Sequence, residues 1–407
     1  MEFSRLASYA ALIVEKGINP QKGQDVIIIA GLDQPEFVRL VVELCYKRGA
    51  GKVIVDWTDM PCAKLDQLYQ TQEKLSQVYP WELAKLQWRA DTLPALLWLD
   101  SDDPDGMEGI DQEKRARAQM ARYPHIKPLR DAMENRFQWC IAGGPGKEWA
   151  CKVFPGIPAE NAVEKLWEAI LAAARANGDP IANWNTHNLT IHRRTEQLNA
   201  FNFTELEYKA SNGTDFRVGL IPQGIFAGAA EKDLSGREFN PNIPSEEIFT
   251  SPMRGKAEGI VYATKPLSWQ GSMIEDFSLR FEAGKVVEVK AAKGQEALEK
   301  MISMDEGASY LGECALIAHD SPINNTGILF YSTLYDENAS CHLALGRGFE
   351  NCIGNFANYT QEEMRAMGIN DSMIHVDFMI GCADLDITGT TRDGQRIPIF
   401  RQGAWCF

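Results

Sequence analysis

Apolar runs in the first half of the chain alternate with segments of helical spacing. Residues 25–31 form an apolar run closed by a glycine, residues 34–48 carry apolar side chains at helical intervals, and residues 52–57 form a second run. Continuous apolar runs are typical of strands buried on both faces, and a helix between two of them indicates a βαβ unit. Further strands are predicted at 95–99 and 137–142. The first half is therefore predicted to be an α/β domain with a mainly parallel sheet.

Two helices are predicted later in the first half, at 111–122 and 161–176. The second ends at Asn177-Gly178-Asp179-Pro180, where the glycine favours a helix end and the proline cannot continue the helix. A chain of 407 residues also exceeds one ordinary hydrophobic core. We therefore predict an N-terminal α/β domain at 1–180 and a second domain at 181–407.

The second half has the apolar alternation and the turn signals of antiparallel strands. Strands are predicted at 190–192, 206–210 and 216–220, and a further hairpin at 279–289. A helix is predicted at 296–304. The fold class that follows is an α/β N-terminal domain and an α+β, strand-rich C-terminal domain.

Ionisable side chains interrupt several apolar segments of the C-terminal domain. In the segment 374–380 the period of a strand places His375 and Asp377 on one face and aliphatic or aromatic side chains on the other. Glu313 and His342 stand in two other short apolar segments. Burying carboxylates and imidazoles is unfavourable without a partner, and a divalent cation is an efficient partner. A single buried histidine is usually part of the core, but the set together indicates a metal site.

Composition excludes several classes of partner. The net charge of −15 and the pI near 5.0 argue against nucleic acid, which needs a concentrated basic face. No run approaches the roughly 18 apolar residues of a membrane span. Nine cysteines with no Cys-x-x-Cys spacing favour a reducing, intracellular environment. We expect a cytoplasmic protein without a nucleic-acid or membrane partner.

Four motifs of the second half resemble a known family. They are PSEEIFTSP at 244–252, Gly-Glu at 312–313, NASCHLALG at 338–346 and HVDFMIG at 375–381. In this order and at these intervals they resemble the thermophilic-type metallo-aminopeptidases, called aminopeptidase T, aminopeptidase S or PepS. The likeness is looser in the first half, where Lys-Glu-Trp-Ala at 147–150 also matches.

The resemblance implies a centre of two divalent metal ions. Its ligands would be two glutamates, two histidines and an aspartate, which fall here on Glu247, Glu313, His342, His375 and Asp377. Glu246 competes with Glu247 for the first position, but the Ile-Phe-Thr-x-Pro that follows favours Glu247. Five protein ligands can share two cations only if a carboxylate bridges them, and we expect Glu313 to be the bridge.

The activity implied is the release of N-terminal amino acids from short peptides that have a free N-terminus. Water activated by the metal pair would attack the scissile carbonyl, and Glu313 or Glu247 would accept its proton. The ions would be zinc, cobalt or manganese. The family resemblance also implies a homodimer in which the active sites face an enclosed space.

One position departs from the family pattern. The family usually has a tyrosine seven positions after the first histidine, where this chain has Phe349. The missing hydroxyl removes a donor to the substrate carbonyl or to the tetrahedral oxyanion. Arg347 is a conceivable replacement, although an arginine in Gly-Arg-Gly is more often a loop or interface residue.

Two other functions compete with the aminopeptidase. His342, His375 and Asp377 alone would match the two-histidine, one-carboxylate triad of a mononuclear non-haem iron dioxygenase. Retention of both Glu247 and Glu313 argues against that enzyme, because iron needs vacant positions for oxygen and substrate. The third hypothesis is a non-catalytic metal- or peptide-binding relative, motivated by the phenylalanine described above.

Overall fold

The computed structural model describes residues 2–270 and 272–407, and these form two compact units. The first comprises Met1–Asn185 with Ala230–Pro244, and the second Thr186–Ala229 with Ser245–Phe407. The predicted boundary after residue 180 lies close to the first of these divisions. Nothing in the sequence pattern marked the segment 230–244 as a return to the first unit.

The first unit contains a parallel sheet. In spatial order its five strands are Asn242–Ile243, Trp139–Gly143, Ala95–Asp100, Val26–Gly31 and Val53–Thr58, each parallel to its neighbours. Its helices are Phe3–Leu12, the π-helical Ile13–Ile18, Pro35–Arg48, Met60–Tyr69, Gln72–Ser76, Pro80–Thr92, Gln112–Met133, Lys147–Val153 and Ala159–Ala173. A small hairpin pairs Glu231–Lys232 with Glu238–Phe239. The predicted α/β class with a parallel sheet is confirmed.

The second unit is built on two antiparallel sheets. The larger one contains Phe203–Lys209, Asp215–Leu220, Pro252–Tyr262, Leu267–Trp269, Ser272–Glu282, Lys285–Lys293, Asp386–Thr391, Arg396–Arg401 and Ala404–Trp405. The smaller one has the spatial order His375–Met379, His342–Gly346, Leu311–Leu316, Ile248–Thr250 and Ala227–Gly228. Short helices are Gln295–Ile302, Gly307–Ser309, Asn324–Thr326, Thr333–Glu337, Glu350–Cys352, Phe356–Asn358 and Gln361–Met367. The predicted strand-rich character is thereby confirmed.

The prediction of a strand at 190–192 is wrong. These residues lie inside the helix Pro180–Phe201, whose first residue is the proline that was expected to stop a helix. Pro is well tolerated at the first helical position because the N–H it lacks has no partner there. The buried side chains Trp184, His187 and Ile191 recur at helical intervals, a period that extends beyond the three residues on which the strand was predicted.

One face of the smaller sheet packs into the core of the second unit. Cys314, Leu343, Leu345 and Phe378 are buried there, at most 1% exposed, among side chains from the larger sheet. Burying a Leu or Phe side chain stabilises the fold by about 1.5–3 kcal/mol. Because strand side chains alternate between faces, the residues between these positions must project from the opposite face.

No helix among the described residues is long and apolar enough to cross a membrane.

Candidate metal centre

The ionisable residues singled out in the sequence meet on the face of the smaller sheet that points away from the core of the second unit. Glu313 lies in the strand Leu311–Leu316, His342 begins the next strand, and His375 and Asp377 lie in the strand after it. Glu247 directly precedes the strand Ile248–Thr250 on the other side of Glu313. The structure therefore brings all five residues together.

Strand register aligns two of the carboxylates. Glu313 is paired with Ala344, which in turn is paired with Asp377. These three residues form a row across three strands, and the small side chain of Ala344 leaves space between the two carboxylates. His342 lies two positions from Ala344 and therefore shares its face.

Two groups of three side chains could each hold one metal ion. Glu247, Glu313 and His342 form one group, and Glu313, His375 and Asp377 form the other; within each group the ligand atoms lie within 4.8 Å of one another. Glu313 belongs to both. Its Oε1 lies 3.9 Å from His342 Nε2 and its Oε2 lies 3.1 Å from His375 Nε2, so its two oxygens face different histidines.

Both imidazoles are oriented by main-chain carbonyl groups. His342 Nδ1 lies 2.9 Å from the carbonyl oxygen of Glu337, and His375 Nδ1 lies 2.7 Å from that of Arg347. Because a carbonyl oxygen can only accept, each Nδ1 carries the hydrogen. In the neutral ring this leaves the lone pair on Nε2, the atom that faces the carboxylates, as in metal-binding histidines.

The chemistry of this donor set fits a divalent cation. Asp377 Oδ1 is buried and accepts no hydrogen bond from any described residue, and it lies 3.3 Å from His375 Nε2. Two lone pairs at that distance repel each other unless a proton or a cation lies between them. His342 Nε2 likewise lies 3.4 Å from Glu247 Oε2.

Without a metal ion the site would hold protons instead. Burial alone lowers the pKa of His342, but the hydrogen bond to Glu247 and the charges of Glu313 and Asp377 outweigh it and raise that pKa to about 10. The same balance raises the pKa of His375 well above its ordinary value. Burial raises the pKa of Glu313 to about 7, the nearby charge of Glu247 adds to this, and the hydrogen bond to His375 partly offsets it.

Glu337 is a sixth ionisable group at the centre, and sequence reasoning missed it. Burial and the charges of Asp377 and Glu247 raise the pKa of its side chain well above the ordinary value. It is hydrogen-bonded to Asp377, and two carboxyl groups can share such a bond only if one is protonated. The signal available in the sequence was its position five residues before His342, at the end of the short helix Thr333–Glu337.

Phe349 also lies at the centre. Its ring centroid is 4.8 Å from that of His375 and 5.4 Å from that of Phe249. Its backbone N–H donates to Ser251 Oγ at 2.7 Å. The residue that replaces the family's tyrosine therefore touches one of the candidate ligands.

These buried carboxylates and imidazoles lie on one sheet face, and the Nε2 atoms are directed at the carboxylates. Such a site defines a metal-binding protein. Comparison of the chain with known protein families specifies its class. The model of the thermophilic metalloprotease (M29) family matches residues 3–405. The chain belongs to this family. It is a metal-dependent aminopeptidase, a hydrolase that binds divalent metal and acts on peptides.

Named relatives match over nearly their whole length. The chain is 41% identical to aminopeptidase AmpS of Bacillus subtilis, covering 99% of this chain and 98% of the relative. It is 40% identical to aminopeptidase T of Thermus thermophilus, covering 98% of each. The solved structure of wild-type AmpT from Thermus thermophilus superposes with a TM-score of 0.91 at 38% identity, covering 99% of both chains. The predicted family, fold and enzyme class are confirmed, and the dioxygenase alternative is not favoured.

Proposed function

We propose that this aminopeptidase works through two divalent metal ions with Glu313 as their common ligand. One ion would be held by Glu247, Glu313 and His342, and the other by Glu313, His375 and Asp377. The observation that carries the proposal is the sharing of Glu313 between the two groups, with one oxygen near each histidine. A carboxylate shared by both groups can bridge two ions and keep them close together, as in two-metal enzymes.

Bound cations would polarise the scissile carbonyl group and lower the pKa of the attacking water. The chain's own carboxylates would then accept the proton from that water and transfer it to the leaving amine. Glu313 and Glu247 are the two acceptors expected from the sequence. Glu337 is less suited to this step, because its raised pKa favours the protonated form, which cannot accept a proton.

The substrates we propose are short peptides with a free N-terminus. One of the two ions would hold the free α-amine of such a peptide, which would restrict cleavage to the N-terminal residue. Zinc, cobalt and manganese all accept such nitrogen and oxygen ligands. A homodimer and a cytoplasmic location stay predictions.

Metal removal tests the proposal directly. Dialysis against a chelator should abolish hydrolysis of unblocked aminoacyl chromogenic substrates, and zinc, cobalt or manganese should restore it. The fully active protein should contain two ions per chain, measured by elemental analysis. N-acetylated substrates serve as the matched control and should resist cleavage. Equal rates on blocked and free substrates, or full activity with one ion per chain, would contradict the proposal.

A further inference from the structure

Asn338 lies fully buried beside the metal centre without belonging to the candidate ligands. It follows the helix Thr333–Glu337 directly, and its side chain is 0% exposed. The amide makes three hydrogen bonds: Oδ1 accepts from the backbone N–H of Glu246 at 2.8 Å, and Nδ2 donates to the carbonyl oxygen of Leu334 at 2.9 Å and to Glu337 Oε1 at 3.3 Å.

These bonds tie together two segments that are far apart in the chain. Glu246 and Asn338 are 92 positions apart, and Glu246 immediately precedes the candidate ligand Glu247. Glu337, on the other side, supplies the carbonyl oxygen that accepts from His342 Nδ1. One amide therefore fixes the main chain next to Glu247 and also contacts the residue that orients His342.

Only an amide can make this set of contacts. It must accept from one main-chain N–H and donate to two oxygens, and an asparagine carries one acceptor and two donors on a single planar group. An aspartate would lose both donors and would place a further negative charge beside Glu337. An alanine would leave the N–H of Glu246 without this partner, and burying an unpaired polar group is costly.

The second group of candidate ligands has a separate support. His375 is oriented by the carbonyl oxygen of Arg347. The three hydrogen bonds of the Asn338 side chain go to neither His375 nor Asp377, and its link to Asp377 is indirect, through the carboxyl group of Glu337. A change at Asn338 should therefore affect one half of the centre more than the other.

We propose that Asn338 is a positioning residue that holds Glu247 and His342 in the geometry required for one of the two metal ions. This inference rests on the two-metal function proposed above. Partners that orient metal ligands typically account for 10–100-fold in metal affinity. Loss of the amide should weaken binding of the ion held by Glu247 and His342 by that factor and leave the affinity for the other ion nearly unchanged.

The experiment is a zinc titration of the metal-free protein, comparing wild type with Asn338→Ala and Asn338→Ser. Serine is the second variant because its hydroxyl is small enough for the site but too short to reach Glu246 and Glu337 together. We expect wild type to bind two zinc ions. In both variants one ion should bind about 10–100-fold more weakly, while the other keeps its affinity.

Asn240→Ala is the matched control. Asn240 is also buried, at 3% exposed, and its Nδ2 donates to the carbonyl oxygen of Lys16 at 2.8 Å, so it too joins distant segments, but in the first unit. Its loss should lower the melting temperature of the metal-free protein and leave both zinc affinities unchanged. The gain in melting temperature on adding zinc, measured for each protein against its own metal-free form, separates metal binding from the general cost of deleting a buried amide.

The outcomes distinguish this inference from the proposed function. If wild type binds only one zinc ion, the two-metal proposal fails. If wild type binds two and the Asn338 variants bind both as tightly as wild type, with the same zinc-induced gain in melting temperature, the two-metal proposal stands and the positioning role is overturned. Equal weakening of both ions would likewise overturn the assignment of Asn338 to one half.

Discussion

The two halves of the candidate metal centre share Glu313 but differ in exposure. In the half formed with Glu247 and His342, the histidine side chain is only 1% exposed. In the half formed with His375 and Asp377, the histidine side chain is 26% exposed. The same kinds of ligand atoms therefore stand in two environments, one enclosed and one reached by solvent.

Sheet topology explains this difference. His342 lies on a strand with a neighbour on either side, whereas His375 lies on the edge strand of the smaller sheet. Metal ions enclosed by protein ligands are generally structural, and catalytic ions keep an open coordination position. We therefore expect substrate to bind on the His375 side and the His342 side to hold its ion more tightly.

The substitution with the largest expected effect removes the ligand common to both halves. Glu313→Gln keeps the shape of the side chain but removes its negative charge and a candidate proton acceptor. We expect the aminopeptidase rate to fall by at least about a hundredfold, the usual lower scale for losing a positioned acid or base, and the metal content to fall as well. Rate and metal content should be measured on the same preparation.

In a one-iron triad, by contrast, Glu313 would not be a ligand. The substitution would then leave one ion bound and the chemistry largely intact. Unchanged rate and unchanged metal content would therefore rule out the common-ligand role.

The next substitutions separate the two halves. His342→Ala and His375→Ala should each lower activity by about 10–100-fold or more, at least the scale for disturbing a ligand's surroundings, and each should remove one ion. When a chelator is added to zinc-loaded wild type, we expect a fast and a slow loss of zinc. His375→Ala should abolish the fast phase and His342→Ala the slow one. A single phase in wild type would show that the difference in exposure does not control metal exchange.

The pH dependence of zinc binding follows from the protons that the metal-free centre holds. Because the pKa of His342 is raised to about 10 and that of His375 is raised well above its ordinary value, zinc must displace protons at neutral pH. Apparent affinity should rise with pH up to about 10, by about tenfold per pH unit for each proton displaced. Zinc titrations at pH 7, 8 and 9 measure this slope, and an affinity independent of pH would contradict it.

Stability of the metal-free protein should show the opposite trend. The pKa of His342 is near 6.5 in the unfolded chain and about 10 in the folded protein. The resulting stabilisation is present in full below pH 6.5 and is lost as the pH rises to about 10. The pKa of Glu313 is raised from 4.5 to about 7. Its contribution to stability is therefore lost as the pH rises over that range. Melting temperatures of the metal-free protein should fall from pH 5 to pH 10, with a smaller fall for the zinc-loaded protein.

The sequence was sufficient for the parts of the centre that lie in regular strands. His375 and Asp377 share a face because strand side chains alternate, and that rule holds whatever the tertiary structure. Glu313 and His342 could be recognised as ionisable residues in apolar segments, and the family resemblance supplied Glu247. Each of these signals is local in sequence or carried by a motif.

The parts that the sequence did not predict depend on tertiary contacts. Glu337 ends a helix of five residues, too short for a periodic pattern, and only the folded chain brings its carboxyl group to Asp377. The return of 230–244 to the first unit depends on a strand of two residues, Asn242–Ile243, and on hydrogen bonds such as that from Asn240 to the carbonyl oxygen of Lys16. The strand predicted at 190–192 failed because three residues are too few to distinguish the period of a strand from that of a helix, whereas the buried face of the whole helix follows the helical period.

The smallest expected effect concerns Phe349, whose ring contacts His375 on the open side of the centre. Phe349→Tyr adds the hydroxyl that the family usually has. If that hydroxyl donates to the developing oxyanion, kcat should rise several-fold, about 1 kcal/mol of transition-state stabilisation, while KM stays nearly constant. Phe249→Tyr is the control, because its ring packs against Phe349 at 5.4 Å and should give no gain. Steady-state curves for both variants decide the matter: an unchanged or lower kcat for Phe349→Tyr would mean that the pocket is adapted to phenylalanine and that another group supplies the donor.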